Sequence, residues 1–192
     1  MAAGLSSPCA SEPVRLALKA MALSVPARQR QARALGWEEI KRFVAIAGDS
    51  PRDLRDKALL CVAYDTMARR GELVALNVED LRYVKGDAGS IVIRRSKTDQ
   101  AGEGATAYLA PDTVRHLKAW REVARIRQGA LFRRIHRDGR IGERLGADIV
   151  SDLFKRVGER LSLPADQVAA ISGHSIRVGA TQDLLALNID LA

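Results

Sequence analysis

Residues 172–181 read SGHSIRVGAT, from Ser172 through His174 and Arg177 to Thr181, and this stretch decides how the chain is read. It follows Pro164 and leads into an apolar run, so a helix is predicted to open just past His174 and run toward the end of the chain. Positions three apart at a helix start share one face. His174 and Arg177 would then project together where helix-terminal N–H groups also point outward, which makes an anion site. Taken alone, such an HxxR is better explained by a structural role.

Upstream, TMARRGELVAL (66–76) follows ALLCVAY (58–64), a run apolar nearly all round that predicts the central buried helix. Ser50-Pro51 starts that helix with proline at its first position, and Cys61 reads as a small core residue. Before it, Trp37, Ile40, Phe43, Val44 and Ala47 have helical spacing, with Gly48 ending the run. A short helix is predicted from Glu72 to Leu76. The period then changes: RYVK (82–85), SIVIRR (90–95) and ATAYL (105–109) predict a three-stranded antiparallel sheet, and SKTDQAGEG (96–104) is a hairpin tip carrying Lys97. Helical patterning resumes after Pro111 through Val114, Leu117, Trp120 and Ala124. RRIHRDGRIGERLG (133–146) is a basic loop or hairpin, and another amphipathic helix runs from Asp148 through Val150, Phe154, Val157 and Leu161. The fold class is α+β, mainly α-helical.

The chain has 192 residues, 47% hydrophobic and 28% charged, which suits a folded domain and excludes long disorder. No apolar run approaches the ~18–20 residues of a membrane span. Residues 1–10 read as a flexible N-terminus. Ser11 is placed to cap a helix through Leu23 with Val14, Leu18 and Met21 on one face, and a basic linker carries residues 11–35 to a main domain over 36–192. Lys and Arg number 31 against 23 Asp and Glu, a net charge of +8 that points to a polyanionic partner, with nucleic acid foremost. The basic segments lie at 28–33 and 133–144 and include Arg28, Arg30, Arg133 and Arg134. The two cysteines, Cys9 and Cys61, have no metal-ligand spacing and predict a reducing, cytoplasmic setting.

ARRGEL after a buried helix, RSKT between two strands and SGHSIRVGAT at a later helix start occur here in one order, and together they resemble the tyrosine recombinase (phage integrase) family, most closely its Cre-like branch. The resemblance runs from about Ser11 onward and implies that family's catalytic-domain fold. It implies catalytic roles for Arg69, Lys97, His174 and Arg177, with Glu72 supporting the site; Arg70 is given no catalytic role and reads as a surface or DNA-backbone arginine. The implied reaction attacks a DNA phosphodiester to form a 3′-phosphotyrosine. Two permanently charged planar guanidiniums suit the nonbridging oxygens, Lys97 suits the leaving 5′-oxygen, and His174 assists proton transfer. The implied partners are double-stranded DNA and, in the family, a homotetramer on paired sites. No cofactor, no metal and no membrane are expected.

Family members carry their nucleophilic tyrosine well beyond the second arginine, and a helical DNA-binding domain ahead of the catalytic one. This chain stops at Ala192, and its tyrosines, Tyr64, Tyr83 and Tyr108, all precede the histidine box. The expectation is a catalytic domain cut at both ends and inactive alone, with its tyrosines held in packed elements. Two alternatives stay open: a non-catalytic DNA-binding remnant or regulator of recombinase assemblies, and a helix-turn-helix protein in which Lys97 and His174 are dispensable.

Overall fold

A computed structural model of the chain describes residues 11–24, 31–84, 87–94 and 104–188. It divides into two compact units, Met1–Gln31 and Ala32–Ala192. The first holds α1 (Glu12–Ser24), on which Val14 and Leu16 are exposed.

The second unit is built around α3 (Pro51–Thr66). Ser50 caps it, its hydroxyl accepting from the Asp53 amide, and Pro51 occupies the first turn, where no amide partner is lost. Residues 58–63 are all buried because α2 (Trp37–Ile46), α5 (Pro111–Val123), α8 (Ser175–Ala186) and β3 (Ala105–Leu109) pack around the helix. Cys61 is buried among them, and burial pushes its thiol up to about 12. Near its end α3 also supplies a cap to α5: the Asp65 carboxylate accepts from the Ala110 amide at 2.8 Å. Burial is the main cause that raises the Asp65 carboxyl.

The sheet is antiparallel in the order β1 (Leu81–Tyr83), β2 (Gly89–Ile93), β3, with Leu81 opposite Ile91 and Ser90 opposite Tyr108. Ile91, Ile93 and Leu109 point inward. The basic segment at 133–146 forms a second hairpin, β4 (Arg133–Ile135) with β5 (Ile141–Arg144). Then follow α6 (Ala147–Arg160), which buries Val150, Leu153, Phe154 and Val157, and α7 (Ala165–Ala169).

Three features differ from the sequence expectation. Helix α2 stops at Ile46, and Ala47 is already extended, so Gly48 is not its terminator. Helix α7 has no buried residue, so it leaves no apolar period to read. The central helix also buries charge. Arg55 and Asp56 are 3% and 6% exposed, and the guanidinium holds the carboxylate at 2.8 and 2.7 Å while donating to the Arg133 carbonyl at 3.4 Å. Burial pushes the Asp56 carboxyl up, and Arg55 opposes that shift. Arg55→Met is therefore expected to lower stability by about 3–5 kcal/mol, because it strands a buried carboxylate. Urea unfolding measures this, and a loss below about 1 kcal/mol would show that Asp56 does not depend on Arg55.

Candidate functional site

Two helix beginnings meet in the second unit. The chain leaves α3 through Met67, whose left-handed backbone (φ 47°) turns it sharply toward α4 (Arg70–Ala75). Arg69 is the N-cap of α4, and Glu72 grips it twice. One carboxylate oxygen accepts from the Arg69 amide and the other from its Nη1, each at 2.8 Å. The Glu72 side chain is 11% exposed, so this ion pair is screened less than a surface pair.

The second beginning is that of α8, capped by His174. Ser175 is fully buried, and its hydroxyl accepts from the Ser172 amide at 2.9 Å. The Ser172 hydroxyl in turn accepts from the His174 amide at 3.2 Å. These bonds fix the loop while the His174 residue stays exposed. One turn into the helix, Arg177 donates from Nη1 to the Met67 carbonyl at 2.7 Å. That carbonyl is two residues ahead of Arg69 and 110 positions from Arg177 in the sequence. At the other end of the loop, a Cβ placed on Gly173 would lie 3.1 Å from Arg70 Cδ. The structure thus brings Arg69, Arg70 and Glu72 beside the segment of His174 and Arg177.

Lys97 lies outside the described residues, as do Arg28 and Arg30. The strand leading toward Lys97 is described as far as Arg94. Its Val92, Ile93 and Arg94 line a recess of about 130 Å³ together with Glu72, Ala75, Leu76 and Asp80. Arg94 is anchored there by its ion pair with the buried Asp80 carboxylate, which also accepts from the Asn77 amide at 2.8 Å.

The other basic residues divide by what already holds them. Arg133 donates to the Ala130 and Gln128 carbonyls at 3.2 and 3.0 Å, so its guanidinium is engaged in the loop ahead of β4. Arg134 is exposed and lines a shallow depression with His136, Arg137 and Arg140. Arg144 was not singled out from sequence: it donates to the Val74 and Leu76 carbonyls at 2.6 and 3.2 Å and to Asn77 Oδ1 at 2.7 Å. It thereby satisfies carbonyls left open at the end of α4. Nothing in its local sequence announces that role.

The tyrosines are placed differently from expectation. Tyr64 is half-buried and donates to Asp183 Oδ2 at 2.8 Å; burial first, then Asp183, raises its phenol far above the usual value. Tyr83 and Tyr108 are 49% and 63% exposed: Tyr108 lies on the strand face turned away from its buried neighbour Leu109, and Tyr83 is the last residue of β1, opposite Gly89. Among the described residues, no group of three His, Cys, Asp or Glu side chains is gathered to hold a metal.

Comparison with known proteins gives consistent matches. The sequence model described as Phage integrase family matches residues 33–192. The chain is 26% identical over 204 residues to the recombinase cre of Escherichia phage P1, covering 98% of this chain and 60% of that protein. It is 33% identical over 148 residues to an integrase/recombinase xerD homolog of Selenomonas ruminantium, covering 71% of this chain and 42% of the relative. Among solved structures, the XerH site-specific recombinase bound to its difH substrate, in a pre-cleavage complex, superposes with a TM-score of 0.64 at 17% identity. That match covers 98% of this chain and 57% of XerH, and it shows the fold alone. The chain therefore spans no more than about 60% of the length of these relatives.

Proposed function

This chain belongs to the phage integrase family, the tyrosine recombinases, and we propose that it supplies the phosphate-binding catalytic module for site-specific breaking and rejoining of duplex DNA. The observation that carries this reading is the Arg177–Met67 hydrogen bond, which sets the second arginine against the segment that presents the first.

In this reading Arg69 and Arg177 take the nonbridging oxygens of the scissile phosphate. The planar forks of the two guanidiniums match phosphate oxygens two at a time. A well-placed donor to developing oxyanion charge contributes about 3–4 kcal/mol. Glu72 fixes Arg69 in place, and Met67 does the same for Arg177, so little rotamer freedom is left to lose in the transition state. A tyrosine oxygen bonds to phosphorus and the bond from phosphorus to the 5′-oxygen breaks. Lys97 passes a proton to that leaving oxygen, and His174 assists proton transfer at the phosphate. No tyrosine follows Arg177 within these 192 residues. The homotetramer on paired sites, the domain span 36–192 and the cytoplasmic setting belong to the same reading. The solved XerH complex, bound to its DNA substrate, supports the choice of duplex DNA as partner.

A second reading, a non-catalytic DNA-binding protein or regulator of recombinase assemblies, is favoured by Tyr64, whose hydroxyl is tied to Asp183. Both readings require DNA binding, which tests them together. The chain is expected to bind duplex DNA with log affinity falling steeply against log salt. Arg69→Ala and Arg177→Ala should each flatten that slope by about 0.9, the share of one phosphate that is no longer neutralised. Binding that is absent at low salt, or indifferent to salt, would overturn the proposal.

A further inference from the structure

We propose that Arg70 grips a DNA backbone phosphate next to the one held by Arg69 and Arg177, and that Gly173 aims it there. The proposal rests on the DNA-binding reading above and names a further contact within it. Arg70 is the first residue of α4 and is exposed. Among the described residues no hydrogen bond or ion pair holds its guanidinium, whereas Arg69 is gripped by Glu72 and Arg177 by Met67.

Its stem, by contrast, is fixed. A Cβ on Gly173 would lie 3.1 Å from Arg70 Cδ, 3.6 Å from Arg70 Cβ and 3.2 Å from Ser151 Oγ. The aliphatic part of Arg70 therefore lies along the bare α-carbon of Gly173. A long side chain normally loses much rotamer freedom when it takes a ligand. Here that loss is already made, and the charge at its end is left uncompensated, which is the arrangement of a preorganised contact. Gly173 directly precedes His174, so the same packing joins the Arg70 stem to the loop that presents the imidazole. Arg70 directly follows Arg69 in the chain, and its stem packs on the residue that precedes His174. A continuous phosphodiester strand offers a second anion there, where a single small anion does not. A phosphate contact carries no sequence information, so its contribution is uniform across sequences and electrostatic.

The test measures binding of the 192-residue chain to a duplex across a salt series. Arg70→Met keeps an apolar stem on Gly173 and removes the charge; the salt slope should flatten by about 0.9, while Arg70→Lys keeps it. A structural role for Arg70 would change affinity and leave the slope alone. Gly173→Ala pushes against the Arg70 stem, so it should weaken binding in the wild-type background and add nothing in an Arg70→Ala background. An unchanged slope for Arg70→Met overturns the phosphate contact. Equal effects of Gly173→Ala in the two backgrounds overturn the aiming role. If the wild-type chain binds no DNA, both this inference and the functional reading fall. If Arg177→Ala flattens the slope and Arg70→Met does not, only this inference falls. Arg70 is exposed, so its variants should fold, and thermal melts check this even if Gly173→Ala does not.

Discussion

Gly179→Ala is expected to undock α8 and lower the melting temperature by about 6–12 °C, the shift that about 3 kcal/mol produces in a domain of this size. A Cβ at this position would lie 2.2 Å from the Leu35 carbonyl oxygen, 2.4 Å from its carbon and 2.6 Å from the Gly36 nitrogen. These are backbone atoms and cannot rotate aside. The Leu35–Gly36 strap is also held on both sides: the Leu35 amide donates to the Ser175 carbonyl at 2.9 Å, and the Trp37 amide donates to Asp183 at 2.8 Å. The helix itself must therefore move, which places the cost at the top of the ~1–3 kcal/mol overpacking range or above it. Gly158→Ala is the control. Its new methyl would meet Ile171 Cδ1 at 2.6 Å, the tip of a side chain that can turn away, and the loss should be smaller. Undocking α8 also moves Arg177 off the Met67 carbonyl, so DNA affinity should fall along with stability. A melting temperature within about 1 °C of wild type would show that α8 does not rest on this contact.

Gly179 also shows where sequence reading ends. It stands inside the SGHSIRVGAT stretch that identified the family, yet nothing in that stretch says that backbone from residue 35 lies against it. The amphipathic helices were legible because Val114, Leu117 and Trp120, or Val150, Phe154 and Val157, repeat at the helical period and are all buried. The sheet was legible from the change of period, with its strands near Arg82, Ile91 and Tyr108. Inward and outward faces were harder to read: Tyr108 is large and apolar in part, but strand alternation with buried Leu109 turns it to solvent. Long-range polar partners carry no local signal. The Arg55–Asp56 pair donating to the Arg133 carbonyl and the Arg144 side chain closing α4 both connect segments some 70 to 80 positions apart. The candidate site residues come one by one from the family motifs they match. Of what holds them, only the support of Glu72 was anticipated, through the family resemblance, and the structure pairs it with Arg69.

The 192-residue chain alone is expected to form no covalent adduct with a nicked suicide substrate, although it contains Arg69 and Arg177, the arginines proposed to bind the phosphate. Covalent attack needs a tyrosine oxygen in line with the leaving group, about 3–3.5 Å from phosphorus. Tyr64 donates its hydroxyl to Asp183, and burial and that carboxylate hold the phenol protonated well above the usual range, so it is a poor nucleophile. Tyr83 is exposed, but its oxygen accepts from Arg121 Nη1 at 2.6 Å and Lys118 lies 5.5 Å over its ring, at the end of α5 rather than beside Arg69. Tyr108 is more exposed and lies on β3, opposite Ser90. A peptide or partner chain carrying the tyrosine segment of a relative should restore adducts. Arg177→Ala should then remove them again, because losing one donor to the developing charge slows such reactions about 100- to 1,000-fold. Adducts that need no added segment would overturn the prediction, and tryptic mapping to Tyr83 or Tyr108 would identify which exposed hydroxyl reaches the phosphate.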